Sequence, residues 1–128
     1  MTLDRDTIDD FLEEEADSLV LLEFYAPWCG HCQNVAAGFR AAAKALAAES
    51  EAGRLPVPVR LAKFDAEAPF NQPYQAGSEA KFNFTSYPTM LVHGASGRFS
   101  KARYAGGMEA EEIVHFMTSL AEGKPVRP

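Results

Sequence analysis

The chain has 128 residues, 47% hydrophobic and 23% charged, a length and balance that suit one globular domain with a real core. Its net charge of −6 is uneven: residues 4–17 hold eight acids against Arg5, and the remainder holds ten acids and eleven bases. No basic patch points to nucleic acid, and no apolar run approaches the roughly 18 residues that read as a membrane span, so neither partner is expected.

The acidic stretch from Asp4 to Asp17 predicts an amphipathic first helix. Ile8, Phe11 and Leu12 fall on one face at i, i+3 and i+4 spacing, and Asp4 or Asp6 can cap its start. The acids then form a solvated outer face.

Leu19 to Ala26 predicts a strand covered on both faces, because its apolar run is nearly unbroken. Glu23 interrupts it. A carboxylate there is costly to bury ionised, so it should be protonated, paired or functional. Ala26, Pro27 and Trp28 leave the strand, and Cys29 then opens a helix running to about Glu51, rich in Ala, Leu, Lys and Arg. Cys29 and Cys32 are the only cysteines. A helix N-terminus favours negative charge, so it should stabilise a thiolate at Cys29. Cys32 lies one turn on, within reach of the Cys29 sulfur. The expectation is an exposed nucleophile at Cys29, a more buried resolving thiol at Cys32, and a cationic His31 that favours the dithiol form. A zinc site needs more ligands than one cysteine pair, and a structural bridge across two residues would close too small a loop to stabilise much.

The segment Glu23 to Cys32, EFYAPWCGHC, resembles the active-site segment of the catalytic domains of protein disulfide isomerases, within the thioredoxin superfamily. Thioredoxin proper typically has Pro where this chain has His31. The resemblance implies an α/β, thioredoxin-like fold with a central mixed β-sheet flanked by helices on both faces, and residues 1–128 as a single domain. It implies a short or trimmed edge strand at Met1 to Leu3. It casts Glu23 as the buried acid that relays a proton from Cys32. It also places Trp28 and Gly30 beside the substrate. Many related domains carry proline five residues after the second cysteine; here Ala37 stands there, followed by Gly38, and the expected kink is in question.

Gly53 to Pro58 reads as a connector and Val59 to Asp65 as the next parallel strand, a βαβ unit with its crossover helix. Lys63 falls at the place of the family's lysine, where it would modulate Glu23. Ala66 to Gly77 reads as a loop or short helix, longer than the family's usual connection, followed by a helical turn from Ser78 to about Phe82. Asn83-Phe84-Thr85 is an N-glycosylation sequon. Ser86-Tyr87-Pro88-Thr89 resembles the family's cis-proline loop, which implies that Pro88 faces the cysteines and that Tyr87 offers backbone groups to an extended substrate. Met90 to Val92 continues as a strand, Gly94 to Gly97 turns, and Lys101 to Tyr104 returns as an edge strand. The last helix spans Glu109 to about Glu122, with Ile113, Phe116, Met117 and Leu120 as its buried stripe and His115 off it. Aligned with the family, Met108 occupies the place of an arginine that tunes the second cysteine; Arg103 is the candidate to replace it.

The function implied is disulfide formation, reduction and rearrangement in unfolded or misfolded protein substrates, by a monomeric domain. No cofactor is needed beyond a redox-active Cys29–Cys32 disulfide, recharged by a thiol oxidase or glutathione. The N-terminus lacks a basic region followed by an apolar core, and the C-terminus is no KDEL-type signal. The chain is therefore read as a domain excised from a larger protein of the endoplasmic reticulum lumen or another secretory compartment. Two alternatives stay open: a thioredoxin-like cytosolic reductase, and a substrate-recruiting module whose cysteine pair is incidental.

Overall fold

The computed structural model describes residues 1–68, 87–94 and 102–123. Their strands are Thr2–Leu3 (β1), Leu19–Tyr25 (β2), Val59–Asp65 (β3), Thr89–Gly94 (β4) and Ala102–Arg103 (β5), and their helices Ile8–Glu14 (α1), Gly30–Glu51 (α2) and Ala110–Ala121 (α3). The sheet order is β1-β3-β2-β4-β5. β3 runs parallel to β1 and β2, whereas β4 is antiparallel to β2 and β5, so the sheet is mixed.

β2 occupies the centre because it alone is apolar on both faces along nearly its whole length. Leu19 and Leu21 join Val59, Leu61, Met90 and Val92 against α2 and α3, where Val35, Phe39, Leu46, Ile113 and Met117 complete the core. Val20, Leu22 and Phe24 point the other way, joining Ala62, Phe64 and Leu91 against Ile8 and Leu12 of α1. Each of the Val, Leu, Ile, Phe and Met side chains among them contributes about 1.5–3 kcal/mol when fully buried.

The helices differ from expectation in detail. α1 starts only at Ile8, because the Asp4 carboxylate folds the preceding residues into a turn, accepting the N–H groups of Asp6 at 2.9 Å and Thr7 at 3.1 Å. In α2 the sequence pattern puts Val35 or Ala36, Phe39, Ala43 and Leu46 on the inner face; Val35, Phe39 and Leu46 are buried there, but the fully buried alanine is Ala42, with Ala43 only partly covered. In α3, Ile113 and Met117 are buried, Phe116 and Leu120 are half-buried, His115 is exposed, and Ser119 is unexpectedly buried. The α3 start is tied by Glu112, whose carboxylate accepts the Glu109 N–H at 3.2 Å.

Two glycines are required by close approach. A Cβ on Gly38 would lie 2.8 Å from the Met108 carbonyl oxygen, so Gly38 lets the start of α3 pack on α2. Gly94 ends β4 at φ +112, where any Cβ would collide with the Ser18 carbonyl oxygen. The expected loop from Pro69 to Gly77, the turn from Ser78 to Phe82, the Asn83 sequon, Ser86, and the stretch from Ala95 to Lys101 lie outside the described residues. No described helix is long and apolar enough to cross a membrane.

Candidate active site

The period-2 geometry of β2 puts Glu23 on the same face as Leu19 and Leu21, beneath α2. There it is buried, 3% exposed, and stands opposite Lys63 in the β2–β3 ladder. Burial pushes the Glu23 carboxyl up to about 7, and the Lys63 cation pulls it partly back. The Lys63 ammonium also lies 5.4 Å from the centre of the Tyr25 ring. A cavity of about 180 Å³ opens behind the cysteines, lined by Glu23, Lys63, Cys32, Phe39, Gln33 and Arg40.

Cys29 is the N-cap of α2, in extended backbone conformation, and its Sγ accepts the Cys32 N–H at 3.1 Å. This satisfies one of the four N–H groups that a helix start leaves without partners. The Gln33 side chain donates from Nε2 to the Pro27 carbonyl at 2.7 Å and holds the approach to the helix. The two cysteines are unbridged. Burial foremost, then the hydrogen bond with Cys29, pushes the Cys32 thiol up to about 12, with the charges of Cys29 and Glu23 adding in the same direction.

One expectation is corrected. Cys29 is not exposed: it is buried at 6%, and Cys32 at 5%. Cys29, Cys32 and Ala26 form a small apolar cluster, and Tyr25 and Tyr87 pack against it. Tyr87 arrives from the approach to β4, so no local pattern around the cysteines shows this cover.

The Tyr87-Pro88 peptide bond is cis, and Pro88 is half-buried just before β4. Trp28 is 68% exposed and meets the Tyr87 ring edge-on at 5.8 Å between centres. The Tyr87 hydroxyl donates to Glu67 Oε2 at 3.0 Å. In the sequence Glu67 is one acid among many near a connection, with nothing local to mark it. Gly30 and His31 are exposed on the first turn of α2. His31 lines a separate cleft with Asn34, Val35, Met108 and Glu109. Arg103 is exposed on the edge strand β5, two strands from Glu23. Among the described residues, no group of three or more His, Cys, Asp and Glu side chains could hold a metal ion.

The thioredoxin family profile matches residues 1–119. The chain is 39% identical over 117 residues to the protein disulfide-isomerase A2 of Pongo abelii, covering 91% of this chain and 20% of that protein. It is 35% identical over 122 residues to a probable protein disulfide-isomerase A4 of Caenorhabditis elegans, covering 95% of this chain and 17% of that protein. It thus spans about a fifth of the length of these relatives. The solved first thioredoxin domain of mouse protein disulfide-isomerase A4 is similar in fold, with a TM-score of 0.69 and 28% identity, covering 99% of this chain and 79% of that one.

Proposed function

The chain belongs to the thioredoxin family, as a thiol–disulfide oxidoreductase domain similar to those of the protein disulfide isomerases, and from that premise we propose that it forms, reduces and rearranges disulfides in protein substrates. The observation that carries this reading is the helix-capping position of Cys29, whose sulfur accepts the Cys32 N–H. A sulfur held there sits at the helix start with its partner thiol one turn away, the spacing at which the two can exchange a disulfide with a substrate.

In the oxidised domain, a substrate thiolate attacks Cys29 Sγ. The Cys29–Cys32 bond breaks and its electron pair leaves on Cys32, which takes up a proton. A second substrate thiolate attacks the substrate sulfur of the mixed disulfide, and Cys29 departs as thiolate. In rearrangement, reduced Cys29 attacks a substrate disulfide, and Cys32 gives up its proton and releases any trapped complex. Glu23 accepts that proton through the shared cavity, with Lys63 adjusting its affinity. The two sulfurs carry the electrons, so the reaction needs no further cofactor. Trp28, Gly30, Tyr87 and Pro88 form the surface that the substrate segment crosses.

We place the domain, residues 1–128, within a longer protein of the endoplasmic reticulum lumen or another secretory compartment. It works there as a monomeric unit on unfolded or misfolded disulfide-containing proteins, with a thiol oxidase or glutathione as redox partner. Resemblance to the disulfide isomerases supports this, and His31 favours an oxidant over a cytosolic reductant. Refolding of scrambled, disulfide-bonded ribonuclease tests the proposal. The wild-type domain should restore activity and Cys29→Ser should not. Equal activity of the two would leave a recruiting module as the better reading. A redox potential near that of thioredoxin would instead favour the reductase.

A further inference from the structure

The cavity behind the cysteines is larger and more apolar than the passage of a proton requires. A relay needs room for one or two waters, about 30 Å³ each. The cavity holds about 180 Å³, more than the roughly 150 Å³ that accepts a benzene ring in an apolar interior. Its helical wall is the stripe of α2 at Cys32, Ala36, Phe39 and Ala43, spaced i, i+4, i+7 and i+11. Ala36 and Ala43 are short, and they leave the space that larger side chains would fill. Phe39 and Tyr25 add aromatic wall.

The charges around this space favour an anion. Arg40 stands exposed on the rim, one helical turn after Ala36, and Lys63 faces Glu23 from β3. Among the described residues neither cation joins an ion pair. Burial pushes the Tyr25 phenol and the Cys32 thiol up, so both stay neutral. The Glu23 carboxyl, lifted to about 7, keeps its proton in about half the molecules at neutral pH and then donates to a carboxylate oxygen. Among the described residues the wall includes Cys32 but not Cys29, so an occupant leaves the attacking sulfur uncovered.

We propose that this cavity binds a small aromatic carboxylate, its ring against Ala36, Phe39 and Ala43 and its charge towards Arg40 and Lys63, and that the occupant slows release of trapped substrate. The ligand displaces water from the cavity that Cys32 and Glu23 share, and so interrupts proton transfer between them. The inhibition rests on the relay proposed above; the binding does not.

The test uses benzoate, benzamide and benzamidine, which share a ring and a planar head but carry a negative, no and a positive charge. NMR titration of the 128-residue chain reads affinity and location together. Two partly exposed cations predict benzoate about fivefold tighter than benzamide, with benzamidine weakest. Shifts should centre on Ala36, Phe39 and Lys63. Arg40→Gln should weaken benzoate about threefold and leave benzamide unchanged. Arg54→Gln, beyond the far end of α2, should change neither. Ala36→Leu fills the space and should abolish binding; Arg40→Gln, on the exposed rim, decides the matter if that variant unfolds. Equal affinities, shifts centred elsewhere, or an Arg40→Gln that binds benzoate like wild type overturn the site.

Release is followed by acid quench after Cys29 attacks a peptide thiopyridyl disulfide. The Cys29–peptide bond forms, the peptide–thiopyridyl bond breaks, and thiopyridone leaves with the electron pair and takes up a proton. Cys32 then loses its proton and attacks Cys29 Sγ, and the peptide departs as thiolate and is protonated. Saturating benzoate should slow this second step about tenfold and change the first less than about twofold. Glu23→Gln without ligand separates the two readings. If it releases as fast as wild type, the relay fails. If it is slow while benzoate-bound wild type is not, the relay stands and the inhibition is overturned.

Discussion

Glu23 and Lys63 stand opposite each other across the β2–β3 ladder, and both line the cavity that reaches Cys32. The acid is therefore neither a solvated surface group nor a fully neutralised ion pair. Burial dominates, lifting its carboxyl from an ordinary 4.5 to about 7. Its protonation should govern both stability and the release step.

For stability the sign is fixed by which state holds the proton. Between 4.5 and about 7 the folded chain keeps the Glu23 proton that the unfolded chain has released. This contribution is full below 4.5 and is lost as pH rises through about 7, a cost of about 3 kcal/mol by pH 8. Glu23→Gln is neutral throughout and should lack this slope. Urea unfolding from pH 4.5 to 8 should show the variant matching wild type at the acid end and exceeding it at the other. Parallel curves would refute the role of burial.

For release, Cys32 must lose a proton from a thiol pushed up to about 12. Two effects of Glu23→Gln oppose each other. Removing the negative charge makes the Cys32 thiolate easier to form, whereas removing the base takes away a proton acceptor, worth on the order of 10²-fold. The base is expected to win. Mixed disulfide trapped on Cys29 should clear at least about tenfold more slowly, while the first attack by Cys29 changes less than about twofold. Release that speeds up would mean that Glu23 acts only through its charge.

Lys63→Met should move the same step along the pH axis. The Lys63 cation favours ionised Glu23, so its loss should raise the Glu23 midpoint above about 7. The pH at which release switches on should rise with it. A release profile with an unchanged midpoint would remove Lys63 from the site.

Much of this arrangement was legible in the chain itself. β3 was readable to its ends, and β2 to within one residue, because their apolar patterns are bounded by turn residues. The position of Cys29 at a helix start followed from the strand that precedes it. The burial of Cys29 was not readable, since its cover comes from Tyr87, distant in sequence. Glu67 was equally hidden, because nothing local marks which acid will meet a tyrosine hydroxyl. β1 is two residues long, too short to carry a period, and was expected only from family resemblance. The place of Met108 in the alignment suggested Arg103 as a substitute cation, but pairing with β4 puts Arg103 on the exposed edge strand.

Gly38 gives a prediction whose sign runs against helix propensity. Ala is favoured over Gly inside a helix by about 1 kcal/mol, so an ordinary exposed site would gain stability from Gly38→Ala. Here the added methyl would meet the Met108 carbonyl oxygen at 2.8 Å and the Ala110 nitrogen at 3.3 Å. Both are backbone atoms at the entry to α3, and neither can swing aside as a side chain would. The α2–α3 contact must open, loosening Ile113 and Met117 against Phe39 and Leu46. Gly38→Ala is therefore expected to lose about 1–2 kcal/mol in denaturant unfolding, within the range for overpacked sites. The exposed neighbour supplies the control. Ala37→Gly should also destabilise, by about 1 kcal/mol, through propensity alone. A stabilised Gly38→Ala would show that α3 does not depend on this close approach.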